Sequence, residues 1–183
     1  MNSSVMAQKR TPQPPKSNPN RLFPMRISIV TISDSVAAGK YEDRSGPSVA
    51  ARCKELGWEI VSTTVLADEP IAIEAFLKKA ADAGDGAVDL ILTTGGTGVG
   101  PRDVTPEATQ AAVERLVPGF AEHMRAEGRK FTERALLSRG IAGIRAKTII
   151  LNLPGSPSGA VESLNAIAAL LPHAVDVVHG ARH

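Results

Sequence analysis

The amino-acid sequence predicts a three-layer α/β domain: a mainly parallel sheet with helices on both faces. Three observations predict it. Val88–Thr93 and Lys147–Leu153 are continuous apolar runs, the pattern of strands buried on both faces. Segments with helical periodicity alternate with the strand runs, as in parallel βαβ units. The chain has 183 residues and is 43% hydrophobic and 22% charged, enough apolar material for one domain with a real core.

Each element has its own local reason. Met25–Ile32 alternates and is β-branched, so it reads as a strand. Pro47–Leu56 reads as a helix with Val49, Cys53 and Leu56 on one face. Cys53 on that face is expected as a small core residue rather than a reactive thiol. Trp58–Leu66 is rich in Val, Ile and Thr and predicts a second strand. Pro70 opens a helix whose apolar stripe is Ile73, Phe76, Leu77 and Ala80. After the Val88–Thr93 strand, Thr105-Pro106 reads as a helix cap followed by proline at the first helical position. Pro118–Phe131 predicts another helix, and residues 132–146 carry no clear pattern. Ser156-Pro157 repeats the cap-and-proline start beyond the Lys147–Leu153 strand. One helix is expected there, with Val161, Leu164, Ala168 and Leu171 facing inward.

Residues 1–24 differ in kind from the rest. They hold five of the 13 prolines and carry Lys9, Arg10, Lys16 and Arg21 with no acid. Such a segment buries too little apolar surface to offset its ordering entropy, so a disordered basic tail is expected, with the domain spanning 25–183. The net charge of +2 is thus +4 in the tail and −2 in the domain. A near-neutral domain with 3% aromatics argues against nucleic-acid binding. No apolar run is long enough for a transmembrane helix, and the N-terminal stretch lacks the apolar segment of a secretory signal, so the cytoplasm is the expected compartment. A single cysteine excludes an internal disulfide framework and a cysteine zinc cluster. His123, His173, His179 and His183 show no metal-ligand spacing.

Parallel sheets bind ligands beyond the carboxyl ends of their strands, and three strands here end in unusual loops. The first reads Ser33-Asp34-Ser35 and continues to Asp43-Arg44-Ser45-Gly46-Pro47. The second runs from Thr94-Gly95-Gly96-Thr97-Gly98 through Gly100 to Arg102-Asp103. The third is Asn152-Leu153-Pro154-Gly155-Ser156-Pro157. Four glycines in the second loop let backbone N–H groups approach an anion, and the helix that follows adds positive dipole potential. The loop is neither a Walker A motif nor a G-x-G-x-x-G fingerprint. Asp103 could hold a hard cation on a phosphate chain, or only offset the helix dipole. Arg102 could pair with a phosphate or with Asp103. Asp68-Glu69 reads first as a capping pair ahead of Pro70. Asn152 could read a ring edge or hold a turn, and Ser156 is expected as a helix cap. Ser138-Arg139-Gly140 lies in the unassigned stretch.

Taken together, Thr94-Gly95-Gly96-Thr97-Gly98 with Pro101–Thr109, Thr31–Asp34, Asp43–Pro47, Leu137–Arg139 and Asn152–Pro157 resemble the signature of the molybdopterin adenylyltransferase family, which includes the gephyrin G domain. The resemblance covers Met25 to the C-terminal region, with the motifs in order. It implies a trimer that transfers AMP from Mg²⁺-ATP to molybdopterin with release of pyrophosphate. It implies catalytic and Mg²⁺-holding roles for Asp68 and Asp103. It implies nucleotide binding by Thr94, Gly95, Gly96, Thr97, Gly98 and Arg102. It places Ser33, Asp34, Ser138, Asn152, Pro154, Gly155 and Ser156 on the molybdopterin side. Other molybdenum-cofactor biosynthesis proteins are its implied partners. Two further readings stay open: a molybdopterin-binding carrier or assembly protein without turnover, and a scaffold. The presence of both aspartates favours the enzyme, since binding alone does not demand a metal pair.

Overall fold

The computed structural model describes residues 24–84 and 87–181; apart from Pro24, the expected tail lies outside the described residues. The chain runs β1 (Arg26–Ile32), α1 (Asp34–Ala37), α2 (Ser45–Glu55), β2 (Glu59–Leu66), α3 (Pro70–Ala81), β3 (Leu90–Thr94), α4 (Thr105–Ala112), β4 (Arg115–Leu116), α5 (Pro118–Gly128), a 3-10 turn (Glu133–Leu137), β5 (Ala142–Arg145), β6 (Thr148–Leu153), α6 (Pro157–Ile167) and α7 (Leu171–Val178). The sheet order is β2-β1-β3-β6-β5-β4. The first four strands are mutually parallel, while β5 and β4 are antiparallel additions on one edge.

The three layers follow from side-chain alternation along fully buried strands. Ile27 and Ile29 of β1, Leu90 and Leu92 of β3, and Ile149 and Leu151 of β6 join one core with Val49 and Cys53 of α2, Met124 of α5 and Leu164 of α6. The intervening Val30, Ile32, Ile91 and Ile150 join the opposite core with Ile73 and Leu77 of α3 and Ala108 and Ala112 of α4. A one-residue slip of any strand would exchange the two faces, so register is strongly fixed here.

Three expectations change. Residues 132–146, which carry no pattern, form the 3-10 turn and β5; with β4 they make a short antiparallel ribbon. Such short strands with polar ends leave no periodicity to read. The single helix expected after Ser156 is two, α6 and α7, which meet at a 65° bend. Leu164, Ala168 and Leu171 are buried as expected, while Val161 is only half-buried. Thr105 is not the residue before α4 but its first residue, and its hydroxyl donates to the Gly95 carbonyl at 2.9 Å. Ser156 does occupy the capping position of α6, yet its side chain makes no capping hydrogen bond. Among the described residues, no single helix is long and apolar enough to cross a membrane.

Asn152 of β6 belongs to the core rather than to an open face. It is 1% exposed. Its amide nitrogen donates to the hydroxyls of Thr93 and Thr109, each at 2.9 Å, and its oxygen accepts from Ile141 N–H at 3.2 Å. One side chain thereby ties β6 to β3, α4 and the start of β5. Both amide donors are used internally, and the residue also borders a small cavity with Ser138, Pro154 and Ser163.

Two outcomes are expected from this packing. Asn152→Ala strands the Ile141 N–H and should lower the unfolding free energy by about 1–3 kcal/mol, measured by chemical denaturation; a variant as stable as the parent would show the network to be idle. Cys53 is fully buried, and burial pushes its thiol up to about 12. It should therefore resist a thiol reagent at pH 8 in the native protein and react once denaturant opens the core.

Candidate active site

In the order β2-β1-β3, the chain leaves β1 to one side for β2 and to the other for β3. The crevice beyond the carboxyl ends of strands at such a switch point is open, because the following connections diverge to opposite faces. A cavity of about 510 Å³ lies there, lined by Ser33 after β1, Asp68 after β2, Gly95, Gly96, Arg102 and Asp103 after β3, and Asp43-Arg44-Ser45 ahead of α2. A second cavity of about 320 Å³ lies between the glycine loop, the loop after β6 and the 132–138 segment. Its lining includes Thr97, Gly98, Thr132, Ser138, Ser156 and Ser163. Gly96, Asp103 and Gly155 line both, so the site is one groove with two lobes that share a rim.

The glycine loop can make that rim because it carries no side chains where the chain turns. Gly95 has φ +102° and Gly96 φ +61°, the left-handed region that favours glycine. A Cβ on Gly95 would run into the Ile32 carbonyl, and one on Gly96 would meet the Thr105 hydroxyl and approach Asp68 Oδ1 to 2.8 Å. Gly155 packs equally close: its Cβ would lie 3.2 Å from the Gly95 Cα. Thr94 Oγ1 donates to the Pro154 carbonyl at 2.7 Å and holds the third loop against the second. Among the described residues, the N–H groups of Gly96, Thr97 and Gly98 donate to no protein acceptor. Consecutive open N–H groups at a cavity wall form an anion-binding nest.

The carboxylates are arranged around this loop. Asp103 Oδ2 accepts from Gly100 N–H at 2.8 Å and sits where side chains on Gly98 or Gly100 would displace it. Asp68 is 8% exposed and clasps Asp34 reciprocally: Asp34 N–H donates to Asp68 Oδ2 at 2.8 Å, and Asp68 N–H donates to Asp34 Oδ1 at 3.0 Å. Burial pushes the Asp68 carboxyl above the usual carboxylate range; the charges of Asp34 and Asp103 add to this, while the Asp34 hydrogen bond and Arg102 oppose it. Asp34 is held below that range by the Arg102 guanidinium, which donates to both of its oxygens at 3.0 Å. Arg102 also reaches Glu69 Oε1 at 2.9 Å. Of the two partners considered for Arg102, a phosphate or Asp103, the protein offers Asp34 and Glu69 in place of Asp103. Asp68 does not cap α3: it accepts from Asp34 N–H at the start of α1, whose cap is Ser33, and Glu69 holds the position before α3 without a capping bond.

The larger lobe carries Glu42, Asp43, Asp68 and Asp103 against Arg44 and Arg102. An excess of carboxylates repels a polyphosphate unless a cation intervenes. Among the described residues, Asp68 Oδ1 and Asp103 Oδ1 accept no hydrogen bond, which leaves both free to face one. Such a donor set suits Mg²⁺, which takes one or two carboxylates and completes its shell with phosphate oxygens and water.

The residues that the resemblance grouped on the molybdopterin side are divided by the structure. Ser138, Pro154, Gly155 and Ser156 line the smaller lobe, with Gly155 on the shared rim. Ser33 lines the larger lobe, and Asp34 is spent on Arg102 and Asp68. Two residues that the sequence reading named within motifs, without a role of their own, belong to the site. Asp43 accepts from Thr31 Oγ1 at 2.7 Å and from Gly46 N–H at 3.0 Å, and shapes the wall of the larger lobe. Arg139 grips the glycine loop through the carbonyls of Thr97, Gly98 and Asp103. Its signal was its place beside Ser138 in a polar stretch without periodicity.

Known proteins with this chemistry are close in sequence and shape. The family described as "Probable molybdopterin binding domain" matches residues 28–173. The molybdopterin adenylyltransferase of Helicobacter pylori (strain J99) is 40% identical over 158 residues, which cover 85% of this chain and 89% of the relative. That of Escherichia coli K12 is 39% identical over 146 residues, 78% of this chain and 73% of the relative. The crystal structure of the molybdopterin biosynthesis enzyme MoaB of Thermus thermophilus superposes with a TM-score of 0.80 at 45% identity, covering 86% of this chain and 98% of that one. With the two-lobed groove, the open N–H nest and the paired aspartates in place, these likenesses show that the chain belongs to the molybdopterin-binding family of molybdenum-cofactor biosynthesis proteins.

Proposed function

We propose that this chain is a molybdopterin adenylyltransferase: it transfers AMP from ATP to the phosphate of molybdopterin and releases pyrophosphate. The observation that carries the reading is the open N–H nest of Gly96–Gly98 on the rim shared by two lobes, beside Asp68 and Asp103. A composite substrate needs that layout, with a nucleotide at one end, a pterin at the other, and phosphates where they meet.

In this reading the larger lobe takes ATP and the smaller one the pterin, whose polar edge faces the hydroxyls of Ser138, Ser156 and Ser163. An oxygen of the molybdopterin phosphate attacks the α-phosphorus, and the bond to the β-phosphate oxygen breaks. The nucleophile is already an anion, so no general base is needed; positioning and charge neutralisation carry the barrier. The nest aims three N–H dipoles at the phosphates. Arg44 lines the same lobe, and Arg102 is close enough to the loop to exchange a carboxylate partner for a phosphate oxygen. Mg²⁺ held by Asp68 and Asp103 would supply the positive charge that the lobe itself lacks. Ser33 and Asp34 then serve the nucleotide side, and Asn152 acts from the core by fixing the strand that carries the third loop. A homotrimer, action in the cytoplasm, and contact with other molybdenum-cofactor biosynthesis proteins complete the proposal.

The test is incubation with molybdopterin, ATP and Mg²⁺, followed by mass detection of adenylylated pterin. Product is expected. Its absence under saturating binding of both ligands would point instead to a binding protein without turnover. Asp103→Asn and Asp68→Asn should each lower kcat by about a hundredfold or more while the affinity for molybdopterin alone stays within about threefold, measured by calorimetry. Equal loss of pterin binding and turnover would make either aspartate a structural residue of its loop. Light scattering at micromolar concentration should find three chains per particle; a monomer would remove the trimer from the proposal.

A further inference from the structure

The geometry points to Arg139 as a positioning residue: it holds the glycine loop from Thr97 to Asp103 in the shape that presents Gly98 and the Asp103 carboxylate to the ligand groove. The inference rests on the reading of that loop as the phosphate site.

Arg139 uses its backbone and its guanidinium together. Its N–H donates to the Thr97 carbonyl at 2.8 Å, its Nε to the Gly98 carbonyl at 2.7 Å, and its Nη2 to the Asp103 carbonyl. Nη1 and Nη2 also pair with the Glu107 carboxylate of α4. One residue therefore holds the loop at both ends, its backbone at Thr97 and its guanidinium at Gly98 and Asp103, and anchors it to the helix that follows.

The consequence follows from the planarity of the peptide unit. A carbonyl and the next residue's N–H lie in one plane and point in opposite directions. Fixing the Thr97 carbonyl on Arg139 fixes the Gly98 N–H on the far side; fixing the Gly98 carbonyl does the same for Val99 N–H. Neither of these N–H groups has a protein acceptor among the described residues. Glycine-rich backbone loses more conformational freedom on ordering than any other, so an unheld loop would sample many orientations of these dipoles. The Asp103 carbonyl is pinned by the same guanidinium, so the carboxylate's backbone anchor is fixed along with the nest.

Stability alone does not account for this arrangement. The side chains of Arg139 and Glu107 are 39% and 57% exposed, and an ion pair so open to water contributes little to folding. The Glu107 carboxylate aims the guanidinium instead, leaving its other N–H groups on the loop carbonyls. A lysine cannot copy this, because a single ammonium replaces a planar fork that serves several acceptors at fixed angles.

The test uses the full chain and the variants Arg139→Ala, Arg139→Lys and Glu107→Gln. In the ligand-free protein, backbone order parameters of residues 98–103 are measured by ¹⁵N relaxation, with amides of β3 as internal reference. Calorimetry then measures inorganic pyrophosphate and adenosine separately. Arg139→Ala keeps the backbone bond to Thr97 and loses the guanidinium bonds to Gly98 and Asp103. Expected in that variant are order parameters that fall from about 0.85 to below about 0.6 between Val99 and Asp103 with β3 unchanged, and pyrophosphate affinity and kcat lower by about tenfold to a hundredfold. Adenosine affinity should stay within about twofold, Arg139→Lys should rescue little, and Glu107→Gln should fall between. Unchanged order in Arg139→Ala, or full rescue by lysine, would overturn the assignment. So would parallel loss of adenosine and pyrophosphate binding with lower order throughout β3, which marks a general structural role. The relaxation result does not depend on turnover, so failure of the adenylyltransferase reading would leave it standing.

Discussion

Three strand ends meet at Gly95 at a separation that leaves no space for a side-chain carbon. The Ile32 carbonyl lies on one side, Gly155 packs on the other, and the Thr105 hydroxyl closes on the Gly95 carbonyl. This close backbone approach organises the rest of the site. It brings the Ser33, Asp68 and Gly155 loops to one edge, and it gives α4 a fixed starting point directly under the open N–H nest. The approach costs conformational entropy and puts Gly95 and Gly96 in the left-handed region, which the packed strands behind them offset.

Charge is the second constraint. Asp34, Asp68, Asp103 and Glu69 crowd around Arg102, and the structure resolves the crowding unevenly. Arg102 holds the Asp34 carboxyl below its ordinary range and also pairs with Glu69, while Asp68 is left buried, with its carboxyl held above its ordinary range. A carboxylate in that state is poorly compensated by the protein and gains most from an added positive ion. The clasp between Asp34 and Asp68 keeps it from escaping toward solvent.

Legibility in the sequence tracked burial. The strands β3 and β6 were readable because both faces are covered and their residues form largely apolar runs, and β1 was readable from its alternating, β-branched pattern. The helices that open at Pro70, Pro118 and Pro157 were readable from proline with an apolar stripe. The β4–β5 ribbon was not, since strands of two and four residues, each with an arginine at one end, carry no period. The break between α6 and α7 was also hidden, because Pro172 falls in a first helical turn, where proline is tolerated, and Ala168 and Leu171 keep the apolar spacing across it. Within the site, the glycine loop announced its chemistry through composition. The partners of Arg102, Asn152 and Arg139 did not, because each reaches across more than ten positions in the chain to a group that only the fold brings near. A polar residue at a strand end looks the same in sequence whether it faces a ligand or, like Asn152, the core.

The rim shared by the two lobes has a thermodynamic consequence. The peptide units of Gly96, Asp103 and Gly155 are walls of both cavities, so occupants of the two lobes act on the same few backbone torsions. Whichever occupant arrives first bears the entropy of stilling them, and the second finds them already still. Their affinities are then linked, and linkage is reciprocal: each strengthens the other by the same factor. Two ligands brought together for reaction would thus be retained together by the wall between them, without any change in the shape of the fold.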